Sequence, residues 1–235
     1  MSGNVRMGRS FVYPLAQLVL ERLTEGVPGD NEPTCSDGLV VGSLRRGAAS
    51  VGDIELVIAA IDGPSAAVDA SLLPPARDLF GENVRLEGRV RNLARLERTI
   101  EYWVRERWLW RDPAAQGERL IRLRCQDARA IPIELHIAFP SNFGNLCAIF
   151  TGDRDFSTML VKKRQWGGLM PDDMEQDGGF LYKLALDFRD RNLVECPTEV
   201  QFFEAIGVPF VDPHSRYKAN ALGLARDLGR HRVAA

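Results

Sequence analysis

Histidine and lysine are scarce in this chain, with three and four residues respectively among 235. So few histidines all but exclude a metal centre built from histidine. The four cysteines (Cys35, Cys125, Cys147 and Cys196) include no CxxC pair. That spacing argues against a disulfide framework or a zinc site, and it favours a reducing, cytoplasmic setting. No apolar run approaches the roughly 18 residues that a membrane-spanning helix needs. Met1 to Ser10 is polar, with no apolar stretch before a small-residue cleavage site, so no secretory signal is expected. Net charge is only −2, which excludes a polycation built to coat nucleic acid. What is present, 45% hydrophobic and 26% charged residues, is the composition of one ordinary globular domain or two small ones sharing an interface.

Leu15, Leu18, Val19 and Leu23 recur at helical spacing and predict a first helix over 12–24. Gly26 to Asp37 reads as a loop, and Gly38 to Val41 as a short buried strand running into Gly42-Ser43. A second strand is expected over 54–60. The stretch 73–110 reads as mainly helical, with Leu86, Val90, Leu93, Leu96, Ile100 and Trp103 at helical spacings. Strands are expected over 120–125 and 131–139. In the latter, Ile133, Leu135, Ile137 and Phe139 face one way, Glu134 and His136 the other. From Asn142 onward the pattern predicts short helices separated by turns, with a frayed end over 221–235. The expected architecture is α+β: a small mixed sheet backed by helices (1–140), then a C-terminal subdomain (141–235).

One segment carries most of the chemistry: the run from Gly42 through Ser43, Arg45, Arg46 and Gly52 to Asp53 and Glu55. A buried strand ends at Gly-Ser, where small residues let a polyanion approach backbone N–H groups. Two arginines follow, whose planar forks suit phosphate oxygens. Asp53 and Glu55, two residues apart at the head of a strand, put both carboxylates on one face. Paired carboxylates repel unless a cation lies between them, and oxygen-only ligation suits Mg²⁺ or Mn²⁺. Glu134 projects from the polar face of an apolar strand. If that strand neighbours the one bearing Asp53 and Glu55, the three acids converge beside a phosphate cradle, the geometry of two-metal phosphoryl transfer.

The ordered set resembles the polymerase-beta nucleotidyltransferase superfamily, and within it the catalytic core of family X DNA polymerases. The carriers are Gly-Ser-x-Arg-Arg-Gly, Gly-Asp-x-Glu, Ile133-Glu134-Leu135 and Phe150-Thr151-Gly152. The run from Thr198 to Phe210, with Pro213 and Arg216, extends the resemblance to roughly 10–217. The resemblance implies that Asp53 and Glu55 hold two metal ions, Mg²⁺ or Mn²⁺. It implies that Glu134 binds the catalytic ion and accepts the proton of the attacking hydroxyl. Gly42, Ser43, Arg46 and Gly52 would then cradle the nucleoside triphosphate at its phosphates, and Phe150, Thr151 and Gly152 would line its sugar. The implied partner is the 3′ end of a DNA or RNA primer, and the implied reaction releases pyrophosphate.

Departures from the family pattern are equally specific. Glu55 and Glu134 stand where family X polymerases usually have Asp; Ile149 stands for a Tyr and Asp153 for a Ser. Ser157 and Val161 replace an Asn and an Arg that contact the nascent base pair and template, and no lyase domain or helix-hairpin-helix clamp is evident. These departures keep two alternatives open: transfer to a protein, tRNA or small molecule, and a non-catalytic nucleotide-binding module. Residues 85–129 hold twelve arginines, no lysine and seven acids, an excess of five positive charges that reads as an insertion. Its arginines suit nucleic-acid contact, whereas Trp103, Trp108 and Trp110 suit a core, with Glu97, Glu101 and Glu106 as available ion-pair partners. Lys162-Lys163-Arg164 with Trp166 is a second basic cluster, equally readable as a solvated face. His136 either pairs with a carboxylate such as Glu55 when no metal is bound or serves as a structural histidine.

Overall fold

A computed structural model describes residues 6–30, 33–60, 76–77, 83–84, 94–117, 119–126, 131–185 and 191–233. The chain opens with β1 (Met7–Gly8) and α1 (Arg9–Glu25), followed by β2 (Cys35–Val40) and the single turn α2 (Gly42–Arg45). β3 (Ser50–Val51), β4 (Ile54–Ala60), β5 (Ala76–Arg77) and β6 (Asn83–Val84) follow, then α3 (Ala94–Arg105), β7 (Leu109–Gly117), β8 (Leu120–Cys125) and β9 (Pro132–Ala138). The remainder comprises α4 (Phe143–Thr151), α5 (Arg154–Val161), β10 (Met174–Asp177), β11 (Phe180–Leu184), β12 (Arg191–Val194), α6 (Glu199–Ala205) and α7 (Lys218–Val233). The fold is α+β. No helix among the described residues is long and apolar enough to cross a membrane.

Five strands form the main mixed sheet in the order β2-β4-β9-β8-β7. β4 and β9 run parallel at its centre, and every other pairing is antiparallel. Period-two alternation divides the sheet's two faces. Ile54, Leu56, Ile58, Ile133, Leu135 and Ile137 point to one face and pack beneath α1 and α3. Each such buried aliphatic side chain contributes about 1.5–3 kcal/mol. On the opposite face, Val57, Ala59 and Ala138 meet Leu146 and Cys147 of α4. On that face the far ends of β4 and β9 lie against α4, while the single turn α2 approaches the near end of β4 at Glu55.

The α1 stripe is rotated from its expected position. Val12, Ala16, Val19 and Leu23 are buried, whereas Leu18 is exposed. Ala16 on the inward side lets the helix approach a sheet already filled with Ile and Leu. Among the described residues, the expectation of helix across 73–110 holds for α3, where Leu96 and Ile100 are buried. β5, β6 and the start of β7 are extended instead, and Leu86, Val90 and Leu93 fall outside the described residues. The described part of the Arg-rich stretch is integral to the fold: α3 joins the helical layer, and β7 and β8 widen the sheet.

The C-terminal region also departs from the expected series of helices and turns. β10, β11 and β12 form a three-stranded antiparallel sheet. Gly178 and Gly179 both have positive φ between the paired Asp177 and Phe180, which makes a two-residue hairpin turn with the twist that antiparallel strands need. The strands are only four or five residues long and only β11 is largely apolar, so alternation gives little sign of them; the Gly-Gly pair is the signal. The expected frayed end is helical through Val233, with Ala221 buried against the C-terminal core.

An ion network ties the two halves together. Glu199, at the start of α6, accepts from both terminal guanidinium nitrogens of Arg45 (2.9 and 2.5 Å) and from Arg216 at 2.5 Å. Arg216 is fully buried, reaches the Val211 carbonyl, and lies against the rings of Phe203 and Phe210. Removing the single carboxylate strands two cations, one of them without water. Glu199→Ala is expected to lower the unfolding free energy by about 3–5 kcal/mol in urea titrations. Arg216→Met, which leaves Arg45 and Glu199 paired, is expected to cost less.

Candidate functional site

The parallel register sets the geometry. Glu55 is opposite Glu134, and Val57 is opposite His136. All four side chains therefore share the face that α4 covers only at its far end. Asp53 precedes β4 directly and adds its charge to both glutamates' neighbourhood. Burial pushes Glu55 up to about 7, aided by Asp53 and Glu134; Arg46 and the Ser43 backbone N–H, which hydrogen-bonds the carboxylate, act the other way. Asp53 is likewise raised, by burial first and then by Glu134, against the pull of Arg6. Glu55 and Glu134 are thus brought together as expected, whereas Asp53 is within electrostatic reach of both but is not part of the group whose ligand atoms converge, whose third member is His136.

The glycine-serine turn is built around the same carboxylate. Gly42 has φ +66°, and a Cβ there would lie 1.7 Å from a Glu55 oxygen, so no larger residue fits without displacing the acid. Arg46 donates to the Thr151 carbonyl at 2.7 Å and to the Gly152 carbonyl at 2.8 Å. Arg45 donates to the Thr151 hydroxyl at 2.9 Å. His214 meets the Arg46 carbonyl at 2.9 Å, fastening the turn to the C-terminal region. The segment 42–46 and the segment 150–152, far apart in sequence, therefore form one wall. Gly52 lies beside Asp53 in the approach to β4.

His136 is 7% exposed, and its ring stacks on Phe150 at 3.6 Å with the planes 16° apart. Burial first, then Arg122, lowers it to about 4, so the imidazole is neutral. Its Nε2 is buried without a hydrogen-bond partner, so the alternative of a hydrogen bond to Glu55 through that atom is not realised. One ring nitrogen and one oxygen each of Glu55 and Glu134 all lie within 4.8 Å of one another. Carboxylates this close relieve their repulsion around a divalent cation, and the donor set fits one.

Arg122 is a neighbour of the acid pair to which the sequence alone assigns no role. Its Nε donates to Glu134 at 2.9 Å from the paired position on β8. The arginine excess and the β8 alternation were the available signals, but only register brings Arg122 opposite Glu134. Arg6 is the second omission; it reaches Ser50 and thereby the vicinity of Asp53.

Several other charges are structural. Arg98 pairs with Asp30, Arg111 with Glu97 and Arg124 with Asp112. Trp103 and Trp108 pack under the Arg22 guanidinium, while Trp110 is half exposed. In the second basic cluster Arg164 is bonded to the Leu169 and Ile206 carbonyls and Lys163 to the Asp172 carbonyl, and Trp166 is 63% exposed. Asp153 caps α5 through the Phe156 N–H, and Ser157 donates to the Ile149 carbonyl. Val161 is exposed at the helix end.

No family model matches the chain, and no curated protein matches it.

Because folding raises Glu55 from 4.5 to about 7, the folded protein binds the extra proton in that window, and its contribution to stability falls as pH rises through it. In EDTA, Glu55→Gln is expected to gain about 2–3 kcal/mol relative to the parent between pH 4.5 and pH 7.5, read from urea midpoints at each pH.

Proposed function

We propose that this chain is a metal-dependent nucleotidyltransferase with a polymerase-beta-type palm, a compact relative of family X DNA polymerases. It would add nucleotides to a nucleic-acid 3′-hydroxyl as a polymerase or terminal transferase. The pairing of Glu55 with Glu134 beside the wall made by 42–46 and 150–152, with Asp53 within electrostatic reach of both, carries this reading. Two Mg²⁺ or Mn²⁺ ions held by those acids would supply Lewis-acid polarisation of the α-phosphate and make the acceptor hydroxyl more acidic.

The chain's own groups account for the rest. Glu134 receives the proton of the attacking hydroxyl as its oxygen bonds to the α-phosphorus and the bond to pyrophosphate breaks. Arg46 and the Gly42-Ser43 turn face the β- and γ-phosphates. By fixing Thr151 and Gly152, Arg46 also positions the backbone that lines the sugar. Phe150 supplies an apolar surface on one side and holds His136 on the other. Arg122, which is 43% exposed at its side chain, neutralises Glu134 and has room to swing toward an incoming phosphate.

The ion pairs of Arg98, Arg111 and Arg124 favour a second reading, because positive charge spent within the protein is not presented to a nucleic-acid backbone. In that reading the same chemistry transfers the nucleotidyl group to a protein, tRNA or small molecule.

Primer extension distinguishes them. A labelled DNA or RNA primer, with and without template, is incubated with each dNTP and NTP in Mg²⁺ and in Mn²⁺. Extension is expected, falling by more than about 100-fold in Asp53→Ala. Absence of extension in a protein that still binds triphosphate would reject the polymerase reading and move the search to other acceptors. Glu134→Gln is expected to lower the rate by about 10²–10⁴-fold with triphosphate binding retained.

A further inference from the structure

The donor set is not that of an all-oxygen centre. A carboxylate cluster alone would suit Mg²⁺, which takes oxygen ligands and dehydrates reluctantly. Here an imidazole sits inside the cluster, on the same strand as Glu134 and two residues beyond it. The side chain is buried at 7% exposure, its Nε2 has no hydrogen-bond partner, and a ring nitrogen is within 4.8 Å of both glutamate oxygens. A buried polar nitrogen without a partner is costly, and a ligand bond satisfies it.

Two restraints hold the ring where it is. The β4–β9 pairing fixes its backbone opposite Val57, and stacking on Phe150 at 3.6 Å fixes its plane. A ligand so held loses little freedom on binding. Arg122 occupies one oxygen of Glu134, and a carboxylate has two.

We propose that His136 is a nitrogen ligand, alongside Glu55 and Glu134, for one divalent cation, and that this site takes Mn²⁺ in preference to Mg²⁺. The nitrogen donor favours first-row metals over Mg²⁺, and the oxygen-rich remainder favours the hard end of that series, which is Mn²⁺. This inference rests on reading the acid cluster as a metal site, but it does not require a particular acceptor or any turnover.

The test is direct metal binding to the full chain after EDTA treatment and desalting. Mn²⁺ is titrated alone and in competition with Mg²⁺, with free Mn²⁺ followed by electron paramagnetic resonance. Pulsed measurements on bound Mn²⁺ then look for ¹⁴N coupling from a coordinated imidazole. The parent protein is expected to show that coupling. His136→Gln is expected to abolish it and weaken Mn²⁺ binding about tenfold or more, while Mg²⁺ binding stays within about twofold. Bound Mn²⁺ without nitrogen coupling in the parent would overturn the inference, and that result does not depend on the variant folding. Equal losses for both metals in His136→Gln, with its circular dichroism unchanged, would also overturn it. Primer extension with no nitrogen coupling would leave the proposed function standing and this inference rejected. Nitrogen-coupled Mn²⁺ with no nucleotidyl transfer would do the reverse, and absence of metal binding would reject both.

Discussion

The parallel pairing of β4 with β9 is the constraint on which the site depends. It sets Glu55 against Glu134 and puts His136 one step further along the same face. A slip of either strand by one residue would turn its own acid into the aliphatic core beneath α1 and α3, so the core itself holds the register. The six aliphatic side chains on the inner face and the three polar ones on the outer face are two consequences of the same alternation. Burial of the first set is what makes close approach of the second tolerable. Charge repulsion at the centre of the sheet is opposed by hydrophobic packing a few ångströms away on its other side.

A second layer of organisation joins this face to the C-terminal region through arginines. Arg45 and Arg46 are adjacent in sequence but serve different partners. One enters the Glu199 network with Arg216, and the other binds the carbonyls of Thr151 and Gly152. Both bonds run from the turn that also donates to Glu55 through the Ser43 N–H. Guanidinium groups suit this task because a planar fork can bridge two acceptors, and neutralising one carboxylate with two such groups fixes orientation as well as charge. The wall of the site is thereby attached at both ends.

Legibility in the sequence followed the physical range of each signal. Asp53, Glu55 and the strand carrying Glu134 were readable because alternation is local and strong there. Their adjacency was a condition that only tertiary pairing could meet. Gly42 was readable as a tight turn, but that its missing side chain makes room for Glu55 depends on contact across the sheet. The α1 stripe was misplaced because Leu15 and Leu18 are larger than Ala16, and size was read as inwardness. The β10–β12 sheet does not stand out because its strands are only four or five residues long and only β11 is largely apolar, while its best marker is the two-residue Gly178-Gly179 turn. Arg122 lay within a recognised arginine excess, yet composition cannot tell one arginine from another.

Because β4 and β9 lie side by side but far apart along the chain, the acid cluster is a product of long-range closure rather than of any local segment. Parallel neighbours require a crossover, and the chain entropy of that loop must be overcome before their contacts form. During synthesis β4 emerges with Asp53 and Glu55 well before Glu134 exists, and those two acids then face solvent with no third partner. The chain acquires its concentrated negative field only at the moment the sheet is completed. Order of assembly thus keeps an incompletely folded chain from presenting the whole acid cluster.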